Sequence, residues 1–118
     1  MKLGIIRCHQ TEDFCPGNGC LNAVRNKKGV FEGIGEEIEL VGFTNCGGCP
    51  GKKAILRAKM LVECGADTIA FASCIQKGTP IGYPCPFHAR MKTLLKNGLP
   101  EEIRILDYTH DAPQESKK

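Results

Sequence analysis

Residues 37–74 read EIELVGFTNCGGCPGKKAILRAKMLVECGADTIAFASC. Glu37 to Phe43 starts with polar–apolar alternation and turns apolar, as a strand does on entering a sheet covered on both faces. Asn45-Cys46-Gly47-Gly48-Cys49 then reads as a loop, and Pro50 suits the first turn of a helix. Ala54, Ile55, Ala58, Leu61 and Val62 recur at helical spacing until Gly65 stops the run. Asp67 to Ser73 is apolar and β-prone and ends at Cys74. Strand, helix and strand in this succession form a crossover unit, which joins parallel strands.

The flanks repeat the pattern. Lys2 to Arg7 is a short apolar strand (Leu3, Ile5, Ile6) ending at Cys8, followed by the loop formers Thr11, Asp13, Pro16, Gly17 and Gly19. Cys20 to Lys28 predicts a short helix with Leu21 and Val24 inward, and Gly29, Gly33 and Gly35 punctuate the chain beyond it as turns. After Cys74 comes a Gly/Pro-rich loop from Gly78 to Pro84. Pro86 opens a further helix with Phe87, Met91, Leu94 and Leu95 as its apolar face and Gly98 at its end. Ile103 to Tyr108 reads as the last strand, with His110 after it. Four strands alternating with helices predict a single small three-layer α/β domain over residues 1–110. Its four-stranded parallel sheet should be flavodoxin-like or Rossmann-like in the order 2-1-3-4, with residues 111–118 a flexible C-terminal tail.

Composition narrows the function. A chain of 118 residues supports one core and one principal site, and 42% hydrophobic with 25% charged residues is an ordinary globular balance, against disorder. A net charge of +3, scattered along the chain, is too small to argue for nucleic acid. No stretch resembles a signal peptide or approaches the ~20 apolar residues of a membrane span, so the protein is expected in the cytoplasm.

Eight cysteines in 118 residues is the dominant signal, and in a reducing compartment it reads as metal binding or redox chemistry, not a disulfide framework. In a parallel sheet the C-terminal strand ends share one edge, where open α/β folds bind ligands. Cys8, Cys46, Cys74 and His110 each follow a strand, and Cys15, Cys20, Cys49 and Cys85 lie in the adjoining loops or helix starts. Cys46-Gly-Gly-Cys49 has the separation that lets two sulfurs reach one metal. Helices starting near Cys20, Pro50 and Pro86 would aim positive partial charge at this edge and lower the thiol pKa values. His88, three residues after Cys85, could complete a ligand shell, while His9 and His110 are secondary candidates. Cys64 lies within the second predicted helix and is read as a small buried apolar group outside the site. With Leu56 and Met60 it forms a second stripe, expected to pack under a neighbouring loop unless it marks a subunit contact.

Cys46-Gly-Gly-Cys49-Pro50-Gly51 resembles the hallmark of the CGGC domain family. Cys8, Cys15-Pro16-Gly17-x-x-Cys20, Lys52 and Lys53, Ser73-Cys74 and Cys85-Pro86-x-His88 extend the resemblance over nearly the whole chain. It implies a metal-binding role, with zinc the usual suggestion, and no established reaction. Gly47-Gly-Cys-Pro-Gly51-Lys52-Lys53 lacks the first glycine and the final Ser/Thr of a phosphate loop. Cys20 to Arg25 is one residue short of the phosphatase spacing.

The expected site therefore comprises Cys8, Cys15, Cys20, Cys46, Cys49, Cys74 and Cys85 with His88, holding an iron-sulfur cluster or zinc. Seven sulfurs exceed the four of one tetrahedral zinc, which puts the cluster ahead. A redox or metal-delivery protein would be its partner. The alternatives are a thiol-based redox or sulfur-transfer protein using Cys46 and Cys49, and a structural zinc-stapled interaction module. Sequence identifies no general base or substrate pocket, so no turnover reaction is assigned, and the oligomeric state is left open.

Overall fold

In the computed structural model, four strands among the described residues, β1 (Lys2–Arg7), β2 (Glu39–Asn45), β3 (Thr68–Phe71) and β4 (Arg104–Leu106), pair in parallel in the order β2-β1-β3-β4. The helices are α1 (Asn18–Asn26), α2 (Ala54–Glu63), α3 (Ser73–Gln76) and α4 (His88–Gly98), with a 3₁₀ turn at Gly29–Phe31. The structure describes residues 1–9, 15–48, 51–76 and 85–109. Cys49, Pro50, the predicted loop from Gly78 to Pro84, His110 and the predicted tail from Asp111 to Lys118 lie outside them.

The sheet order follows from chain direction. The step from β1 to β2 goes one way across the sheet, and the steps to β3 and β4 go the other. Right-handed crossovers then place α1 on one face and α2 with α4 on the opposite face. Contacts agree with this arrangement. A Cβ added to Gly4 or to its register partner Gly42 would stand 2.7 or 2.5 Å from Leu61 of α2, so the two glycines are what lets α2 sit close on the sheet. A Cβ at Gly98 of α4 would come within 2.7 Å of Ile55, marking the α2–α4 contact on that same face. By strand alternation Leu3, Ile5 and Arg7 face the other way, toward α1.

β1 and β3 form the centre of the core: Leu3, Ile5, Ile6, Ile69, Ala70 and Phe71 are fully buried. Each large side chain among them contributes about 1.5–3 kcal/mol by leaving water. Ala54, Ala58 and Leu61 carry the buried stripe of α2 as the spacing predicts, and Met91 and Leu95 that of α4.

Boundaries depart from expectation where local caps intervene. α1 begins two residues before Cys20 and stops where Lys27 turns left-handed (φ 53°). β2 runs on to Asn45, because its ladder with β1 continues to the last pair, Arg7 with Asn45. β3 ends at Phe71, and the expected strand residue Ser73 instead starts the short helix α3, which the sequence did not signal.

Two expectations about α2 are corrected. Cys64 is exposed, not buried: it caps the C-terminal end of α2, its N–H bonding to Met60 O, on the same stripe as the exposed Leu56 and Met60. Leu56 and Met60 remain 59% and 49% exposed, so no loop among the described residues covers that stripe. Leu94, assigned to the apolar face of α4, is likewise exposed. Leu56 and Met60 lie off the face on which α2 meets the sheet, whereas Leu94 borders a groove between α2 and α4 with Lys52, Ile55 and Arg90.

Candidate metal centre

The hallmark loop is shaped by its glycines. Gly47 and Gly48 have φ of 83° and 101°, in the left-handed region that side chains rarely adopt. Gly47 N–H donates to Asn45 Oδ1 at 2.7 Å, and Gly51 N–H to Gly48 O at 2.8 Å. This backbone turns back at once on leaving β2, which keeps Cys46 at the sheet edge instead of carrying it away.

The register then gathers sulfurs. Arg7 pairs with Asn45, and Cys46 N–H donates to Arg7 O at 2.9 Å, so the ladder continues by one residue and sets Cys8 beside Cys46. Adjacent parallel strands are about 4.8 Å apart. On the other side of β1, Ala72 N–H donates to Ile6 O at 2.8 Å, and Cys8 N–H donates to Cys74 Sγ at 3.2 Å. Cys8, Cys46 and Cys74 are all buried. Cys85 N–H donates to Ile75 O at 2.8 Å, which brings the half-buried Cys85 alongside α3 and the end of β3.

Cys15 and Cys20 approach from the α1 side. Gly17, at φ 85°, caps α1 and packs on Phe43, and its N–H donates to Cys15 Sγ at 3.4 Å. Phe87 N–H makes the same i+2 bond to Cys85 Sγ, also at 3.4 Å. Both bonds span a Cys-Pro pair: the proline has no N–H, and the next amide turns to the sulfur.

Cys20 is held by a buried polar network. Its Sγ lies 3.1 Å from Thr109 Oγ1, and Ser73 N–H donates to that same hydroxyl at 3.2 Å. Thr109 N–H donates back to Ser73 Oγ at 3.2 Å, and the two hydroxyl oxygens are 3.4 Å apart. Both residues are fully buried. Burial pushes the Cys20 thiol pKa up, against the downward pull of Thr109, the Ser73 amide and Arg7, with nearby Cys15 adding to the rise. The expected lowering by the helix terminus is therefore overturned at Cys20, where desolvation is the larger effect.

Arg7 completes this corner. It is 8% exposed, its Nη2 donates to Cys15 O, and its guanidinium lies 5.5 Å from the Phe43 ring centre. His88, by contrast, is the first residue of α4 and packs edge-on against Phe71, with ring centres 5.2 Å apart. Desolvation lowers its pKa, Asp107 opposes that and Lys92 adds to it. Its Nε2 is buried and finds no hydrogen-bond partner among the described residues. His9 is exposed beside Cys8.

The structure thus brings Cys8, Cys46 and Cys74 together at the edge, sets Cys15 near Cys20, and places Cys85 by α3. Among the described residues no three Cys, His, Asp or Glu side chains already form a group able to hold a metal ion. The sequence reading missed Arg7 and Thr109, and it named Ser73 only beside Cys74 in the family resemblance. A charge closing an apolar strand directly before Cys8 could have drawn attention to Arg7, whereas Thr109 carries no signal in the chain. A groove of about 580 Å³ between α1 and β2, lined by residues including Leu21, Val24, Arg25 and Ile38, contains no cysteine and stands apart from this edge. No described helix is long and apolar enough to cross a membrane.

Sulfur is the donor that zinc and iron-sulfur clusters take, and the sulfurs of Cys15, Cys74 and Cys85 already accept backbone N–H bonds, which also stabilise anionic sulfur. In donor chemistry the edge fits either group. An uncharacterized protein of Methanocaldococcus jannaschii is 39% identical over 117 residues, covering 93% of this chain and 87% of that protein. No solved structure matches. The family model for the CGGC domain matches residues 2–110, and the chain, whose sequence carries Cys46-Gly-Gly-Cys49 after β2, belongs to the CGGC domain family.

Proposed function

We propose that the protein binds a metal centre through cysteine thiolates at the C-terminal edge of its sheet. Cys8, Cys46 and Cys74 form the middle of the ligand field, with Cys15, Cys20, Cys49 and Cys85 in the loops around it and His88 as a reserve ligand that must leave Phe71 to take part. The observation that carries this reading is the Cys46–Cys8–Cys74 row, in which neighbouring strands deliver sulfur-bearing residues to one place. An iron-sulfur cluster is preferred to zinc, because backbone N–H bonds to several sulfurs and more cysteines than one zinc needs both suit a cluster. A metal-delivery or redox protein is the partner such a centre would exchange with.

The test is iron, zinc and acid-labile sulfide content of anaerobically purified protein, with its visible absorption spectrum. Iron with sulfide establishes the cluster. Zinc without sulfide establishes a zinc protein, and unfolding on zinc removal would make that zinc a structural staple. Neither metal nor sulfide refutes the proposal and transfers it to thiol redox or sulfur-transfer chemistry at Cys46 and Cys49.

A further inference from the structure

Cations scattered along the chain are gathered in space by the fold. Lys52, Lys53, Arg57 and Lys59 stand in or just before α2, and Arg90, Lys92 and Lys96 stand in α4, while Glu63 is the one acid in segments 52–63 and 88–98. Asp107 takes up Lys92 at 2.7 Å, and the helix layer stays strongly positive in a chain whose net charge is only +3. Between the two helices runs a groove of about 280 Å³, with Lys52 and Ile55 on one wall and Arg90 and Leu94, one turn apart, on the other. Leu94 is exposed along it, and Leu56 and Met60 carry exposed apolar surface over the outer side of α2. The groove opens at the cysteine edge, because crossover helices begin where the strands end. Lys52 lies just before Ala54, the first residue of α2, and Arg90 is in the first turn of α4. Gly51, at φ 87°, is pressed on α4 as well: a Cβ there would stand 2.5 Å from Met91 Sδ, next along the chain from Arg90.

We infer that this groove is the docking site of an acidic protein, one that seats an apolar side chain between Ile55 and Leu94 and sets carboxylates against Lys52 and Arg90. Charge complementarity selects that partner. A second copy of the chain would bring the same cations face to face, which is repulsive. A bilayer surface is flat where the groove is concave, and the described lining residues include no aromatic ring on which a nucleic-acid base could stack. The inference goes beyond the metal reading: the surface is the same whether the edge holds metal or bare thiols, and a protein docked there stands beside that edge.

The test takes reduced full-length protein through a phage-displayed library of random peptides and measures the strongest binder by fluorescence anisotropy at about 100 mM salt. Recovered peptides should combine Asp and Glu with Leu, Met or Phe. Binding should weaken about ten-fold or more in the double variant Lys52→Glu, Arg90→Glu and in Leu94→Ser, and by about ten-fold as salt rises to ~500 mM. Arg25→Glu, on the opposite face of the sheet, should change it by less than about two-fold. Lys52 and Arg90 are exposed, so the double variant should keep the wild-type circular dichroism. Should it misfold, the amide shifts of wild-type protein with the peptide decide alone, and they should cluster on residues 51–56 and 88–95. A library yielding no binder, peptides without acidic residues, shifts centred elsewhere, or affinity unchanged by charge reversal would each overturn the proposal. So would self-association lost on charge reversal, binding to phosphatidylglycerol vesicles in place of peptides, or peptide binding that requires removal of residues 110–118; these give the face to a second copy, a bilayer or the chain's own tail. None of these results bears on the metal content of the edge.

Discussion

Replacing Thr109 by Val keeps the shape of the side chain and removes the hydroxyl on which the Cys20 network turns. Ser73 N–H loses its 3.2 Å oxygen acceptor, and Cys20 Sγ loses its 3.1 Å partner. A buried donor stripped of a good acceptor costs about 1–3 kcal/mol, and Val creates no cavity to add to it. The expected destabilisation is about 2 kcal/mol. Unfolding entropy near 2.1 cal/mol/K per residue gives roughly 250 cal/mol/K for a domain of this size, so the melting temperature should fall by about 8 °C. The assay is thermal unfolding of reduced, metal-free protein followed by circular dichroism, with coincident near- and far-ultraviolet transitions as the check on two-state behaviour. Thr109→Ser retains the hydroxyl and should keep most of the stability. A fall below about 3 °C in the Val variant, or an equal fall in the Ser variant, would refute the claim that the hydroxyl is what matters.

Gly42→Ala should destabilise by about 1–3 kcal/mol, because its new methyl would stand 2.5 Å from Leu61, and the cost should shrink when Leu61→Ala makes room, which a double-mutant cycle measures. The lowered pKa of His88, caused first by burial, means the unfolded chain takes up its proton before the folded protein does. Stability should therefore fall as pH drops from about 6.5 toward the depressed folded value, and His88→Asn should flatten that slope in urea titrations at pH 5 to 7. Cys46→Ser and Cys49→Ser should sharply reduce bound metal by elemental analysis, while exposed Cys64→Ser should leave stoichiometry unchanged; equal loss from all three would remove the ligand assignment.

Strand order and crossover pattern were legible in the chain because they depend on period and punctuation: Leu3, Ile5 and Ile6, the stripe from Ala54 to Val62, and Gly65 all stand where local rules put them. The exposure of Cys64 was not legible, since it shares the stripe of Leu56 and Met60, and an apolar stripe on its own does not tell whether another element covers it. The rise in the Cys20 pKa also escaped the sequence, because it depends on how deeply α1 is seated, a tertiary quantity that outweighs the helix terminus. For the site, strand-end cysteines could be listed from spacing, but the adjacency of Cys8 and Cys46 required the ladder register. Thr109 was invisible, for its partner Cys20 is 89 residues away.

That separation bears on how the protein is made. A growing chain exposes Cys8 and the site cysteines after it while Thr109, which seats Cys20, has yet to emerge from the ribosome. Until β4 docks on β3, Ser73 lacks the hydroxyl that pins it, and the thiols stand on an unfinished edge, open to oxidants and to stray ions. The Cys20 corner cannot close before residue 109 has emerged, and any factor guarding these thiols has to act before then.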